Sequence, residues 1–173
     1  MGNCCCFKKC DILSNYEENN NIELNEIEIL QTINPSDVKL FTFANSVFNA
    51  IPCDVYDGDT FSSIFYWNGQ VIKWRCRCLG YDSPEMKPSL KNPNREQEKE
   101  LAKKAKEYSI NELNKTKYIQ IKCGKFDKYG RLLVTIYNTN DSSKSLNEKM
   151  IEEGHGKPYN GGTKEGWINV DVE

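Results

Sequence analysis

The chain has 173 residues, room for one domain with a substantial core plus appendages, and no apolar run approaches the length that spans a bilayer. Its net charge of -2 excludes a generally basic nucleic-acid surface. The charge is uneven: residues 1–53 hold three basic and seven acidic residues and the rest hold 20 basic and 18 acidic, so phosphate binding must rest on a few placed cations.

The first ten residues, MGNCCCFKKC, have the composition of a lipid-anchor signal. Gly2 is the acceptor for N-myristoylation once Met1 is removed, and Cys4, Cys5 and Cys6 are suited to S-palmitoylation, although Cys6 stands where serine or threonine is usual. One acyl chain binds a membrane marginally and two bind it stably; Lys8 and Lys9 add attraction to anionic lipid. The apolar segment of a secretory signal is missing, so the expectation is a peripheral protein anchored to the cytosolic face of a membrane. Disulfides are not expected there. Cys53, Cys76, Cys78 and Cys123 read as small buried strand residues and lack the paired C-x-x-C spacing of structural zinc sites.

Residues 11–34 are rich in Asn and Glu with interspersed Ile and Leu, which suits a flexible tether or a short helix ending at Asn34-Pro35. From about residue 38 come β-type runs: VKLFTFA, VFNAIPCDVY, TFSSIFYW, QVIKWRCRCLG, YIQIKCG and RLLVTIYN. Asp57-Gly58 and Asn68-Gly69 are hairpin signals between them. A helix is predicted from about Asn94 to Asn114, with Asn94 as N-cap and Leu101, Ala102, Ala105, Tyr108 and Leu113 as its apolar stripe. A second runs from about Ser145 to Glu153. Ser145 and Glu148 form its capping box, Leu146, Met150 and Ile151 face inward, and Gly154 stops it. These elements predict an α+β, mainly β fold: a five-stranded Greek-key barrel of OB type with two or three helices. The expected organisation is a tether over 1–37, one domain over 38–165 and a short tail over 166–173.

Three motifs carry the chemistry: DGDT (57–60), CRCLGYDSPE (76–85) and DKYGR (127–131). Taken alone, the acids of the first could serve only a turn. In this order, with an amphipathic helix between the second and third, the motifs closely resemble the staphylococcal nuclease-like (thermonuclease) family over about residues 45–160. The resemblance implies one calcium ion on Asp59, Asp82 and the backbone oxygen of Ser83, with Asp57 behind these ligands. It makes Glu85 the candidate general base and Arg77 and Arg131 the phosphate-binding arginines, with Tyr129, and less closely Tyr159, near the nucleotide.

The residue types suit those roles. Calcium prefers oxygen ligands, Pro84 biases Ser83 away from the helical region so that its carbonyl can turn toward the acids, and a guanidinium fork grips two phosphate oxygens at once. Strict alternation puts Arg75 and Arg77 on one face of their strand, so a bulge or twist is expected to separate a solvent-facing Arg75 from a functional Arg77. Tyr159 fits base stacking or core packing equally. His155, the only histidine, reads as a solvated or capping side chain. The last stretch, YNGGTKEGWINVDVE, lacks the family's closing helix and suits a β-type addition. The function implied is a calcium-dependent nuclease acting on DNA and RNA with little sequence specificity, tethered to a membrane by acyl chains, with no obligate protein partner. The alternative is a non-catalytic OB-type module that binds nucleic acid or peptide, which predicts gaps among Asp59, Arg77, Asp82, Glu85 and Arg131; all five are present.

Overall fold

The structure, a computed structural model, describes residues 25–164 and 166–168. Gly2, Cys4, Cys5 and Cys6 lie outside these residues. The chain divides into two compact units between Phe41 and Thr42. In the first, residues 25–31 form a helix, α1, so the short-helix reading holds for the described part of that segment. Asn34 then accepts a hydrogen bond from the Ser36 N–H at 3.3 Å and opens a 3₁₀ turn over Pro35–Asp37. No described helix is long and apolar enough to cross a membrane.

The second unit is a closed barrel. Its strands β1 (Val47–Cys53), β2 (Thr60–Trp67), β3 (Gln70–Cys78), β5 (Ile119–Phe126) and β6 (Leu132–Asn138) follow one another in the order β1-β2-β3-β6-β5, with β5 returning to β1. All pairings are antiparallel except β3 with β6. A short β4 (Tyr81–Asp82) pairs with β7 (Lys157–Pro158), and helices α2 (Arg95–Leu113) and α3 (Leu146–Glu152) complete the unit. The alternating apolar positions of the strands, among them Phe61, Cys76, Ile121 and Val134, fill the interior. Asn68 and Gly69 both have positive φ, 47° and 80°, the pattern of a type I′ turn joining β2 to β3.

Four local expectations are corrected. The run VKLFTFA forms no strand: Val38, Leu40 and Phe41 are exposed, so it has no apolar face for a ladder to bury. Phe43 instead meets Phe48, Phe65, Trp67, Trp74 and Phe126 edge-on, with centroids 5.4–5.8 Å apart. On α2 the buried row is Glu98, Ala102, Ala105, Ser109 and Leu113, and Leu101 and Tyr108 flank it half-buried. Asn94 precedes α2 but its side chain makes no capping bond; Asn92 accepts the Asn94 N–H at 2.9 Å instead. Gly58 lacks the positive φ of a hairpin glycine. It is required by crowding, since a Cβ there would lie 2.8 Å from Ser83 Cβ and 3.0 Å from Ala105 Cβ.

The capping box of α3 is present as expected, and Gly154 ends that helix at φ 70°. The described part of the C-terminal stretch holds no closing helix: Lys157 donates to the Gly166 carbonyl at 2.7 Å, and its ammonium lies 5.3 Å from the Trp167 ring centroid. The three inward cysteines are inert: burial pushes the thiols of Cys76 and Cys123 up to about 11 and about 12, and that of Cys78 higher still.

Candidate active site

The parallel pair β3–β6 decides where the cations stand. In its register Arg77 lies beside Leu133, and Thr60 on β2 lies on the other side of Arg77. Residues 76 and 78 point into the barrel on β3, as do 132 and 134 on β6, so Arg75, Arg77, Arg131 and Leu133 all face outward. The site is therefore built on the outer face of the barrel. The expected bulge that would separate Arg75 from Arg77 is not there: the β2–β3 register runs unbroken from Thr60 to Trp67. Both arginines line one cavity, Arg75 at its exposed margin with its guanidinium 5.4 Å from the Tyr56 ring centroid, Arg77 mostly buried.

Arg77 is the keystone of the acids. Its Nη1 donates to Asp59 Oδ1 at 3.0 Å and its Nη2 to Asp82 Oδ1 at 2.8 Å, so one guanidinium spans carboxylates 23 positions apart in the chain. Burial works against its charge, but the two carboxylates more than offset this and hold its pKa above the ordinary value. The other oxygen of Asp59 accepts the Ser83 N–H at 3.1 Å, which ties the DGD turn to the residue before Pro84. Asp57 accepts the Asp59 N–H at 3.0 Å and so orients Asp59 from behind. Burial, aided by the Asp59 charge, pushes the Asp57 carboxyl up to about 7 against the pull of the Asp59 and Thr60 backbone.

Arg131 is aimed by the turn that precedes it. Asp127 accepts the N–H groups of Tyr129 (2.8 Å) and Arg131 (2.9 Å) with one oxygen and Arg131 Nε (2.7 Å) with the other. Burial would raise the Asp127 carboxyl, but these donors outweigh it and hold its pKa below the usual range. Arg131 Nη1 reaches Thr60 Oγ1 at 3.3 Å, and its guanidinium lies 5.5 Å from the Tyr129 ring centroid. The cavity has a volume of about 580 Å³, the scale of a small-ligand site. Its lining includes both tyrosines singled out in the sequence. Tyr129 is exposed, and Tyr159 is half-buried with its hydroxyl donating to the Gly162 carbonyl, so Tyr159 belongs to the cavity wall and not to the core. His155 lies apart, its ring tilted against Tyr108 at 4.6 Å and its N–H bonded to the Met150 carbonyl behind α3.

The donor set suits a hard cation. Asp59 and Asp82 offer carboxylate oxygens within the span of one guanidinium, with Ser83 beside them. Among the described residues no three His, Cys, Asp or Glu side chains converge as a metal cluster, so an ion held here would need backbone oxygen and water to complete its shell.

Three residues without a recognisable motif support the site. Glu98, buried in the first turn of α2, accepts the Glu85 N–H at 3.2 Å and an Asn92 amide N–H at 2.5 Å, fixing the backbone that presents Glu85. Asn147 on α3 donates to the carbonyls of Leu79 and Val134 and accepts the Ile136 N–H, clasping the chain just after Arg77 to β6. Lys164 places its ammonium 2.5 Å from Glu85 Oε1 and 2.9 Å from Asp82 Oδ1. Only a buried position on a helix could have marked Glu98 in the sequence, and Lys164 follows a glycine pair with no periodicity at all.

A closed five-stranded barrel with this strand order and its helices is the architecture of the OB-type folds. The sequence profile of the staphylococcal nuclease homologues matches residues 75–165, more than half of the chain, and the chain belongs to that family. No curated protein compared with the chain matches it. The matched segment includes Arg77, Asp82, Glu85 and Arg131; the contact of Arg77 with Asp59 joins the DGD turn to them.

Proposed function

We propose that the chain is a calcium-dependent nuclease that hydrolyses phosphodiester bonds of DNA and RNA with little sequence specificity. The observation that carries this reading is the presence of Arg77, Glu85 and Arg131 in the lining of one cavity, with Asp59 and Asp82 bonded to Arg77 beside it, together with the membership of the nuclease homologue family. Calcium on Asp59, Asp82 and the Ser83 backbone oxygen would polarise the scissile phosphate. Arg77 and Arg131 are the donors for the charge that develops on the phosphorus oxygens. Glu85, exposed and held by its backbone, is the group to orient or deprotonate the attacking water. Tyr129 and Tyr159 offer ring faces to bases, which favours single-stranded or loosened substrate and reads no sequence. The same proposal places the enzyme on the cytosolic face of a membrane through acyl chains at Gly2 and at Cys4, Cys5 or Cys6, with no obligate protein partner.

The test is digestion of a plasmid and of single-stranded RNA with calcium, with magnesium or with a chelator. Wild type is expected to cleave both with calcium, to cleave poorly with magnesium and to stop with chelator. Glu85→Gln should be slower by roughly 100- to 10,000-fold. Undiminished cleavage by Glu85→Gln would remove Glu85 from its role, and no cleavage with any divalent ion would return the chain to the class of binding modules.

A further inference from the structure

The carboxylates assigned above already hold a cation that belongs to the chain. Lys164 is bonded to both Glu85 and Asp82, and Asp82 Oδ1 accepts from Arg77 as well, so that one oxygen serves two positive groups. The ammonium is brought there by a built loop. The Tyr159 N–H donates to the Gly80 carbonyl at 2.9 Å, the Tyr159 hydroxyl donates to Gly162, and Gly161 and Gly162 take φ values of 101° and 100° that side chains rarely adopt. The Lys164 side chain is 41% exposed and lines the cavity that also holds Arg77 and Arg131, so it is free to leave the acids without leaving the site.

A divalent ion on Asp82 and an ammonium on the same oxygen repel each other, so the two compete. A phosphate entering between the arginines offers the displaced ammonium a new partner of opposite charge. We propose that Lys164 is a further substrate-binding residue of this site, one that neutralises Asp82 and Glu85 until a divalent cation arrives and then transfers its hydrogen bonds to the substrate phosphate. The inference rests on the functional reading above and adds a coupling to it. Because the metal displaces Lys164 and the phosphate receives it, metal and nucleic acid each raise the affinity of the site for the other.

The test is calcium binding by titration calorimetry, with and without a cleavage-resistant phosphorothioate trithymidylate. The proteins are wild type, Lys164→Gln, Lys164→Arg and the remote control Lys144→Gln. Lys164→Gln is expected to bind calcium alone several-fold more tightly, having lost the competitor, while the oligonucleotide improves calcium affinity by roughly 5- to 150-fold in wild type and hardly at all in the variant. Lys164→Arg should keep most of the coupling, and Lys144→Gln should match wild type. A thermal melt of each protein separates misfolding from altered binding. Equal calcium affinity and equal coupling in wild type and Lys164→Gln would overturn this inference alone. Absence of calcium binding from every protein would overturn the functional reading and the inference together.

Discussion

Arg77 has two duties that a single substitution separates. It neutralises Asp59 and Asp82 through different nitrogens, and it stands in the cavity where a phosphate would bind. Lysine keeps the charge but offers one compact ammonium in place of the planar fork, so it cannot make both contacts with the same geometry. Removing one partner from a mostly buried group of charges leaves the others uncompensated, at a cost of about 3–5 kcal/mol when the charge is lost altogether. Arg77→Lys is therefore expected to lower stability by less than that, about 1–2 kcal/mol in urea unfolding. On the proposed function its cleavage rate should still fall by roughly 100-fold or more, because a compact ammonium would replace the planar fork proposed to hold the phosphate. A variant as unstable as Arg77→Ala yet nearly as active as wild type would show that the arginine serves the fold and not the reaction.

At the scale of elements, the site depends on how closely the DGD turn, the segment before Pro84 and α2 approach one another, and Gly58 is where they meet. Gly58→Ala would force a methyl to within about 3 Å of both Ser83 and Ala105, neither of which can move without carrying its backbone along. The expected loss is about 1–3 kcal/mol in stability, with a weaker calcium affinity in calorimetry because Ser83 is pushed away from Asp59. Full retention of calcium affinity would show that the turn yields in some other direction. This glycine also shows where reading the sequence stopped. The five barrel strands, both main helices and the α3 capping box were legible because each depends on local pattern, and the motif residues Asp59, Arg77 and Asp82 do come into contact. The reason for Gly58 was not legible, because the atoms that crowd it come from positions 83 and 105. The same holds for Glu98, which looks like any acid in the first turn of a helix until its burial against the Glu85 backbone is known, and for Lys164. For Arg75 and Arg77 alternation alone stated the answer: both face outward with no bulge between them, Arg75 exposed as expected and Arg77 mostly buried.

For the whole molecule, the question is what would select a substrate for the proposed nuclease, whose site would contact phosphate and ring faces and read no base edges. On that proposal little discrimination is available within the barrel, so the place where the enzyme is held would decide which nucleic acids it meets. The proposed N-terminal anchor is the part of the chain that could supply that restriction. A myristoyl chain on Gly2 alone gives an association constant of only about 10⁴ M⁻¹ with a bilayer, so palmitoylation at Cys4, Cys5 or Cys6 is needed for stable attachment. If palmitoylation requires that the myristoyl chain first bring the protein to a membrane, the two proposed steps are ordered. Fractionation of cells that carry N-myristoyltransferase and express the full chain should therefore show three outcomes. Wild type is expected in the membrane fraction, Gly2→Ala in the soluble fraction, and the triple change of Cys4, Cys5 and Cys6 to serine divided between the two. None of these changes alters a residue assigned to the site, so the purified proteins should cleave soluble substrate at equal rates with calcium. A wild type found in the soluble fraction would leave the nuclease reading intact and remove the anchor; a Gly2→Ala protein that stays with membranes would assign attachment to some other part of the chain.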